Sequence, residues 1–493
     1  MENKEEKSKK DIKVIDTDTH KKHGANKCPK CGASDITYDI DNKKLKCNFC
    51  KYLFDGKAVN EKDESLDKLS GEIRSSSLKD IKHDDDVITL KCSNCQAKVV
   101  INTKESQNVR CHWCNSILSL NSQVDNGAVP DMILPFSVKK EEAENKIEEF
   151  ISKRRFFADR SFKKDYKNNS VKGVYFPYLI VDSNAHGLFK GEAGEVARSY
   201  TKVVGKDDDG REISEKFYDI DVYEIEREFD ITIDDLQIES SIDKLNKHNN
   251  DTNNIINSIM PFDTKNCVKY ESNYLVGYTS EIRDVNVDDL NEKIDESLKD
   301  IARHSLNKDL TKYDGGVSWD EEIFDIKGRK LLSAYFPVWL YSYLDKKKIL
   351  HYVAVNGRTG ETIGSIPINK TKLILLSALI FILIVFLPEI IYLVANQITD
   401  FSAIIISPLT IFLFIVAFIV SLIFGLGFYN KYRNKSARHD YETKTDCNLK
   451  IIKRKDNLTR RLHEESSSTI SGVNSHKTVG DKITVKNNKK KEE

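Results

Sequence analysis

An α+β fold of several domains is predicted by three features of the sequence. Eight of the ten cysteines form four C-x2-C pairs in two equally spaced sets, helix-period and strand-period apolar patterns alternate in two similar rounds, and two long apolar runs lie near the C-terminus. Each feature implies its own folding unit: small ribbons closed by four cysteines, a duplicated α+β region, and a hairpin of two transmembrane helices.

A chain of 493 residues allows roughly two to four domains. Its formal charge is zero, from 77 basic and 77 acidic residues, but the spread is uneven: Tyr429 onward holds 17 Lys/Arg against nine Asp/Glu, so that end is +8 and the rest −8. Only 39% of residues are hydrophobic, apolar runs included, so long polar segments are expected elsewhere. Residues 1–26 are one such segment, with too little apolar area to offset ordering and no signal-peptide core. They are expected to be disordered.

Residues 27–57 and 87–120 are the ribbons. Cys28-Pro-Lys-Cys31 and Cys47-Asn-Phe-Cys50 have fifteen residues between them, and Cys92-Ser-Asn-Cys95 and Cys111-His-Trp-Cys114 repeat that spacing. Two residues between thiolates let a tight knuckle aim both sulfurs at one ion, and two knuckles complete a tetrahedral shell. Zinc is the expected metal, one structural ion per set, with an iron centre or disulfides as the alternatives. The ligands are Cys28, Cys31, Cys47 and Cys50, then Cys92, Cys95, Cys111 and Cys114. Every position is Cys, so no coordination place is left open for catalysis. A unit of about thirty residues needs its metal to fold. His112 lies in a knuckle but is not required as a ligand, and Phe49 and Trp113 are expected to pack on their own ribbons. Residues 58–86, rich in Ser, Asp and Lys, read as a flexible linker.

The α+β units span residues 130–250 and 257–369. In the first, Ala143, Ile147, Phe150 and Ile151 recur at helical spacing, Gly173–Val181 reads as a strand, and Tyr218–Ile238 alternates with period two. In the second, Leu290, Ile294, Leu298, Ile301 and Ala302 mark a helix with Asn286 as its cap. Ile259-Met-Pro-Phe262 echoes Ile133-Leu-Pro-Phe136, and Tyr335-Phe-Pro337 echoes Tyr175-Phe-Pro177. We read this as a duplication, with chance recurrence as the alternative. Asn356-Gly-Arg-Thr-Gly360 reads as a hairpin turn, since Asn and Gly tolerate positive φ. No G-x4-G-K-[ST] loop is present, so no triphosphate site is expected.

The apolar runs at residues 373–395 and 404–428 each exceed the roughly 20 residues needed to cross a bilayer, and neither has a polar face. Lys370 and Lys372 precede the first, Lys431, Arg433, Lys435 and Arg438 follow the second, and the connection lacks Lys and Arg. Both chain ends are therefore expected in the cytoplasm, at the cell membrane. In that reducing compartment, cysteine pairs favour metal over disulfides. Glu389 is the one charge within the runs; transport through it would need oligomers. The tail, residues 436–493, is expected to be disordered. Its clusters Lys453-Arg-Lys455, Arg460-Arg461 and Lys489-Lys-Lys491 would be solvated or drawn to anionic lipids.

The order of motifs is more telling than any one of them. CPKCG and CNFC knuckles, then ILPF, GVYFPYLIV, IMPFD, NYLVGYTSE, AYFPVWLYSY and VAVNGRTGETIG, then two spans, resemble a bacterial family of membrane-anchored TFIIB-type zinc ribbon-containing proteins from Cys28 to about Phe428. The resemblance implies zinc at the eight cysteines and a membrane location, but no settled activity. Members often carry a primosomal-helicase label; without a nucleotide loop this chain is not expected to share it. The expected function is a non-enzymatic adaptor that recruits a cytoplasmic protein to the membrane. Nucleic-acid binding through the ribbons is the second reading, although acids offset their lysines and no basic stripe stands out. For an enzyme, Cys267, His186, His304 and His351 are isolated, and no catalytic residue is expected.

Overall fold

The computed structural model describes residues 12–15, 27–59, 65–78, 87–92, 97–102, 110–114, 116, 118, 123–124, 130–166, 171–206, 212–240, 259–283, 285–345, 350–396, 408–433 and 444–466. β1 (Ile12–Ile15) comes first. A three-stranded antiparallel sheet of β2 (Ile36–Asp39), β3 (Lys44–Cys47) and β4 (Leu53–Phe54) then belongs to the first cysteine set. β5 (Gly71–Ser75), β6 (Val87–Lys91), β7 (Lys98–Asn102), β8 (Gln123–Val124) and β9 (Met132–Ile133) lead to α1 (Lys140–Ser152) and α2 (Arg160–Asp165). Next come the long strands β10 (Lys172–Lys206) and β11 (Glu212–Glu239), and the short β12 (Val268–Lys269) and β13 (Thr279–Glu281). α3 (Val287–Leu306), β14 (Gly316–Leu344), β15 (Leu350–Asn356) and β16 (Thr362–Gly364) follow. The chain then forms the apolar helices α4 (Lys370–Asn396) and α5 (Pro408–Arg433) and returns as β17 (Asp446–Ser466).

β10 lies between β11 and β14 and is antiparallel to both; β17 flanks β11, and β15 flanks β14. Successive side chains of a strand face opposite ways, and here both faces are covered. Val174, Phe176 and Tyr178, with Ala334, Phe336 and Val338, share a core with α3. Tyr175, Tyr335, Trp339 and Tyr341 share the other with α1 and α2. The helices supply the residues their periodicity predicts: Ala143, Ile147, Phe150 and Ile151 from α1, and Leu290, Ile294, Leu298, Ile301 and Ala302 from α3. Asn286 stands at the cap of α3 but makes no side-chain capping bond.

The repeated Tyr-Phe-Pro motifs are neighbours. Phe176 pairs with Phe336, Tyr175 with Pro337, and Pro177 with Tyr335. β13 runs parallel to Val174–Tyr175, and β9 runs parallel to Ala334–Tyr335, which repeats the arrangement about a local two-fold. The helices break that symmetry, because α1 and α3 cover opposite faces.

Three polar segments that composition marks as unstructured contain strands. Within the expected linker, β5 pairs in parallel with Gly328–Leu331 of β14, and Leu69, Ile73 and Leu78 are buried. β1, from the N-terminal 26 residues, pairs with β5. The largest departure is β17, which pairs with β11 from Phe217 to Asp234. Basic residues of β17 meet acids of β11 there, Lys453 with Glu226 at 2.8 Å and Arg461 with Asp221 at 2.5 Å, and Arg460 reaches across to Glu192 of β10 at 2.7 Å. Opposite charges on adjacent strands stabilise the pairing, and neither strand shows this alone. The cluster at Lys489–Lys491 lies outside the described residues.

α4 and α5 are long and apolar enough to cross a membrane, and only 11% and 6% of their most apolar windows are buried in the protein. Core helices would be covered. β11 precedes this hairpin and β17 follows it in one sheet, so both ends of the hairpin lie on the same side. The connection at residues 397–407 and the side chain of Glu389 lie outside the described residues.

The turn after β15 differs in detail from its Asn-Gly signal. Positive φ falls at Gly360 (+74°), not at Gly357. Gly357 answers a different need: a Cβ there would meet the Phe136 ring and the Pro337 carbonyl oxygen, each at 2.7 Å. Arg358 closes the turn onto the neighbouring loop through Asp263 at 2.7 Å and the Pro135 carbonyl at 3.1 Å.

Candidate metal centres

All four C-x2-C knuckles close with the same backbone bond. The first cysteine donates its N–H to the carbonyl five residues on: Cys28 to Ala33, Cys47 to Tyr52, Cys92 to Ala97 and Cys111 to Ser116, at 2.8–3.0 Å. The tight reversal needs left-handed backbone near the second cysteine, supplied by Gly32 at φ +75° and Lys51 at φ +60°. In the first ribbon each knuckle thereby turns its two thiols toward one place.

In the first ribbon the Sγ atoms of Cys28, Cys31, Cys47 and Cys50 all lie within 4.8 Å of one another. Cys28 and Cys50 are 3.5 Å apart, and Cys31 and Cys47 are 3.7 Å apart. A tetrahedral thiolate shell with metal–sulfur bonds near 2.3 Å sets its sulfurs about 3.8 Å apart, whereas a disulfide needs about 2.05 Å. The set fits a metal ion. In the second ribbon Cys92, Cys111 and Cys114 cluster in the same way, with 3.5 Å between Cys92 and Cys114. Cys95 lies outside the described residues. The thiols of Cys28 and Cys31 are pushed in opposite directions. Burial opposes ionisation of Cys28, but the N–H groups of Cys31 and Lys30 outweigh it and bring that thiol down to about 7. At Cys31 the Ala33 N–H favours the thiolate, yet burial and the three neighbouring thiols push it up to about 12. A bound dication removes the conflict by stabilising every thiolate at once.

Both ribbons are fastened to the body rather than tethered. In the first, Ile36 and Leu45 are wholly buried in the α1-side core, the Tyr38 ring sits 5.4 Å from that of Tyr274, and Lys139 pairs with Asp41 at 2.5 Å. In the second, β7 pairs with β13 in the main sheet. His112 Nε2 lies 2.8 Å from the Glu281 carboxylate, and the Trp113 indole N–H donates to the same oxygen. Glu281 is 2% exposed and His112 1%, so these bonds satisfy polar groups taken out of water, and His112 Nδ1 also lies 3.2 Å from the Thr279 hydroxyl. Glu281 was not legible as a functional residue; its one signal is an acid at the end of the apolar, aromatic stretch NYLVGYTSE. The knuckle aromatics part ways. Trp113 packs against Phe176 and Tyr352 at 5.9 and 5.7 Å, whereas Phe49 is 80% exposed.

A third group, Asp182, Asp234 and Asp235, brings three carboxylates within 4.8 Å. Burial raises Asp182 to about 7, and Lys330 stands 3.7 Å from it, so a cation of the protein already serves this cluster. The isolated residues weighed for catalysis lie on different elements or flank them. His186 on β10 bonds Asp230 at 3.0 Å, His351 on β15 bonds Asp345 at 3.4 Å, His304 ends α3, and Cys267 precedes β12.

No family model matches the chain, and no solved structure matches it. The chain is similar to "Uncharacterized protein YdjG" of Bacillus subtilis (strain 168), with 25% identity over 346 residues, or 70% of this chain and 91% of the relative.

Proposed function

We propose that this chain is a membrane-anchored adaptor of the TFIIB-type zinc-ribbon kind, non-enzymatic, with one structural zinc in each cysteine set and the first ribbon as its recruiting surface. One observation carries the reading. At the equivalent place in the two ribbons, Trp113 is turned inward onto Glu281, while Phe49 is 80% exposed with Tyr52 also exposed beside it. The second ribbon attaches and the first presents. Exposed aromatics on a rigid support suit a protein partner. Nucleic acid is the weaker reading, because Lys44 and Lys46 are drawn to Asp55 and Asp39 at 3.0 and 3.5 Å. Crosslinking and mass spectrometry on membranes test it, with and without nuclease. Phe49→Ala is expected to reduce the main protein crosslink roughly tenfold, as loss of an aromatic anchor of about 1.4 kcal/mol or more would, with metal content unchanged. An unchanged crosslink pattern overturns the recruiting role of the first ribbon, and a nuclease-sensitive one favours nucleic acid.

The body and β17 are assigned to the cytoplasmic side by the basic flanks Lys370, Lys372, Lys431 and Arg433. A thiol reagent confined to the outside of intact cells should label Thr399→Cys and spare Cys447. Labelling of Cys447 reverses the orientation.

A further inference from the structure

The basic residues of β17 are matched to acids in the sheet, but most cations of another stretch are not. From Lys153 to Asp165, the end of α1 through α2, the chain holds six Lys/Arg against two Asp. This corner is fixed to the foot of the membrane hairpin. Arg154 donates to the Lys431 carbonyl at 3.0 Å, the Phe157 N–H donates to the Tyr432 hydroxyl at 2.8 Å, and the Phe157 ring packs on Phe424 and Phe428 of α5.

The cations of the corner converge. Lys163 from α2 and Lys372 from α4 both direct their ammonium groups to the Phe156 carbonyl oxygen, at 3.5 and 3.0 Å. Arg155 and Lys163 line a cleft with Ser152, Phe162, Tyr166 and one acid, Glu148. Among the described residues no carboxylate forms an ion pair with Arg155, Arg160, Lys163 or Lys372, although such pairs are frequent elsewhere on this surface. Burial lowers Lys163 below the ordinary lysine value, and repulsion from Lys372, Arg155 and Arg160 lowers it further, opposed by the charge of Asp159. Beside them the Phe156 ring is 58% exposed, with the Lys372 ammonium 3.6 Å from its centre.

We propose that this α1–α2 corner binds the phosphate headgroup of an anionic phospholipid in the leaflet that the hairpin enters, through Arg155, Lys163 and Lys372, with Arg160 adding to the local positive charge and Phe156 dipping into the interface. The charge is complementary to an anionic headgroup, the shared carbonyl brings two ammonium groups to one place, and the start of α4 sets the site at headgroup level. Basic residues held at such a surface attract acidic lipids, whereas zwitterionic ones offer no net charge to them. The inference rests on the membrane placement of the hairpin proposed above.

The test uses the full-length chain in lipid nanodiscs of phosphatidylcholine alone or mixed equally with phosphatidylglycerol, and native mass spectrometry reads the lipid retained. Retention of phosphatidylglycerol over phosphatidylcholine is expected, falling about fivefold for each cation removed in Arg155→Gln and Lys163→Gln. Lys153→Gln should have no effect, since Lys153 is paired with Glu149. Inorganic phosphate added to the phosphatidylcholine discs should not be retained; its retention would make this an anion site rather than a lipid site and overturn the proposal. Equal retention of both lipids by a protein that does insert also overturns it. Failure of wild-type and variants alike to enter discs would instead overturn the membrane placement. Unchanged metal content in each variant confirms that the fold is intact.

Discussion

Cys111→Ser is expected to unfold the second ribbon, remove one of two zinc ions per chain and shift the emission of Trp113 to the red. Apparent binding energies of structural zinc in small ribbons are about 10–16 kcal/mol, comparable to the whole stability of a domain at roughly 5–15 kcal/mol. Among the described residues the ribbon's apolar cluster is small, with Leu90, Ala97, Val99 and Ile101 in it, and Cys92 and Cys111 are part of that same cluster. The damage should spread inward. β7 would leave β13, and Glu281 would lose both His112 and Trp113, at a further cost of about 1–3 kcal/mol for the lost hydrogen bonds to a buried carboxylate. Cys28→Ser provides the contrast. It should also remove one zinc but leave Trp113 emission unmoved, because Trp113 packs on Phe176 and Tyr352 and not on the first ribbon. Metal analysis and fluorescence of the two purified variants check this. Full metal content in Cys111→Ser, or equal red shifts in both, would be incompatible with two independent centres.

Arg227→Ala is expected to detach β17 from the sheet at a cost of about 3 kcal/mol, the lower end of what breaking a buried ion pair costs. Arg227 is 1% exposed and reaches Asp309 and Asp456, at 2.8 and 2.6 Å, so one guanidinium joins β11, β17 and the turn after α3. Removing it leaves two carboxylates short of a partner. The cost stays at the lower end because Arg454 also pairs with Asp309, and Lys312 stands 3.3 Å from Asp456. Hydrogen exchange should show lost protection from Asp446 to Ser466 with the β10–β14 pairing retained. Adding Asp456→Ala to Arg227→Ala should recover part of the loss, since the pair is then absent rather than broken. If β17 amides keep their protection in Arg227→Ala, the strand does not depend on this buried ion pair.

How far the chain could be read depended on whether a signal was local. Sulfur ligands declare themselves by spacing, because two residues between thiols already dictate a knuckle; the shared bond from the first cysteine to the residue five further on is that local geometry. The helices at Ala143–Ile151 and Leu290–Ala302 and the spans in α4 and α5 were legible for the same reason, since each displays its environment in its own periodicity. Gly357 shows the limit even over short range. The need for glycine was visible, but its cause was Phe136, more than two hundred residues away in the chain.

What sequence determined, then, is the inventory: two four-cysteine sets, amphipathic helices, alternating strands and an apolar hairpin. Tertiary structure alone decided their use. β5 and β17 look like polar chain because their stabilisation lies in partners far off in sequence, Gly328–Leu331 for one and the acidic face of β11 for the other. Similarly, Phe49 and Trp113 occupy the same place in the same motif, and what lies beneath them differs: Glu281, Phe176 and Tyr352 hold Trp113 inward, while Phe49 is exposed. A strand's polar residues reveal that they can pair, but not with what, because charge complementarity and burial are properties of two surfaces brought together.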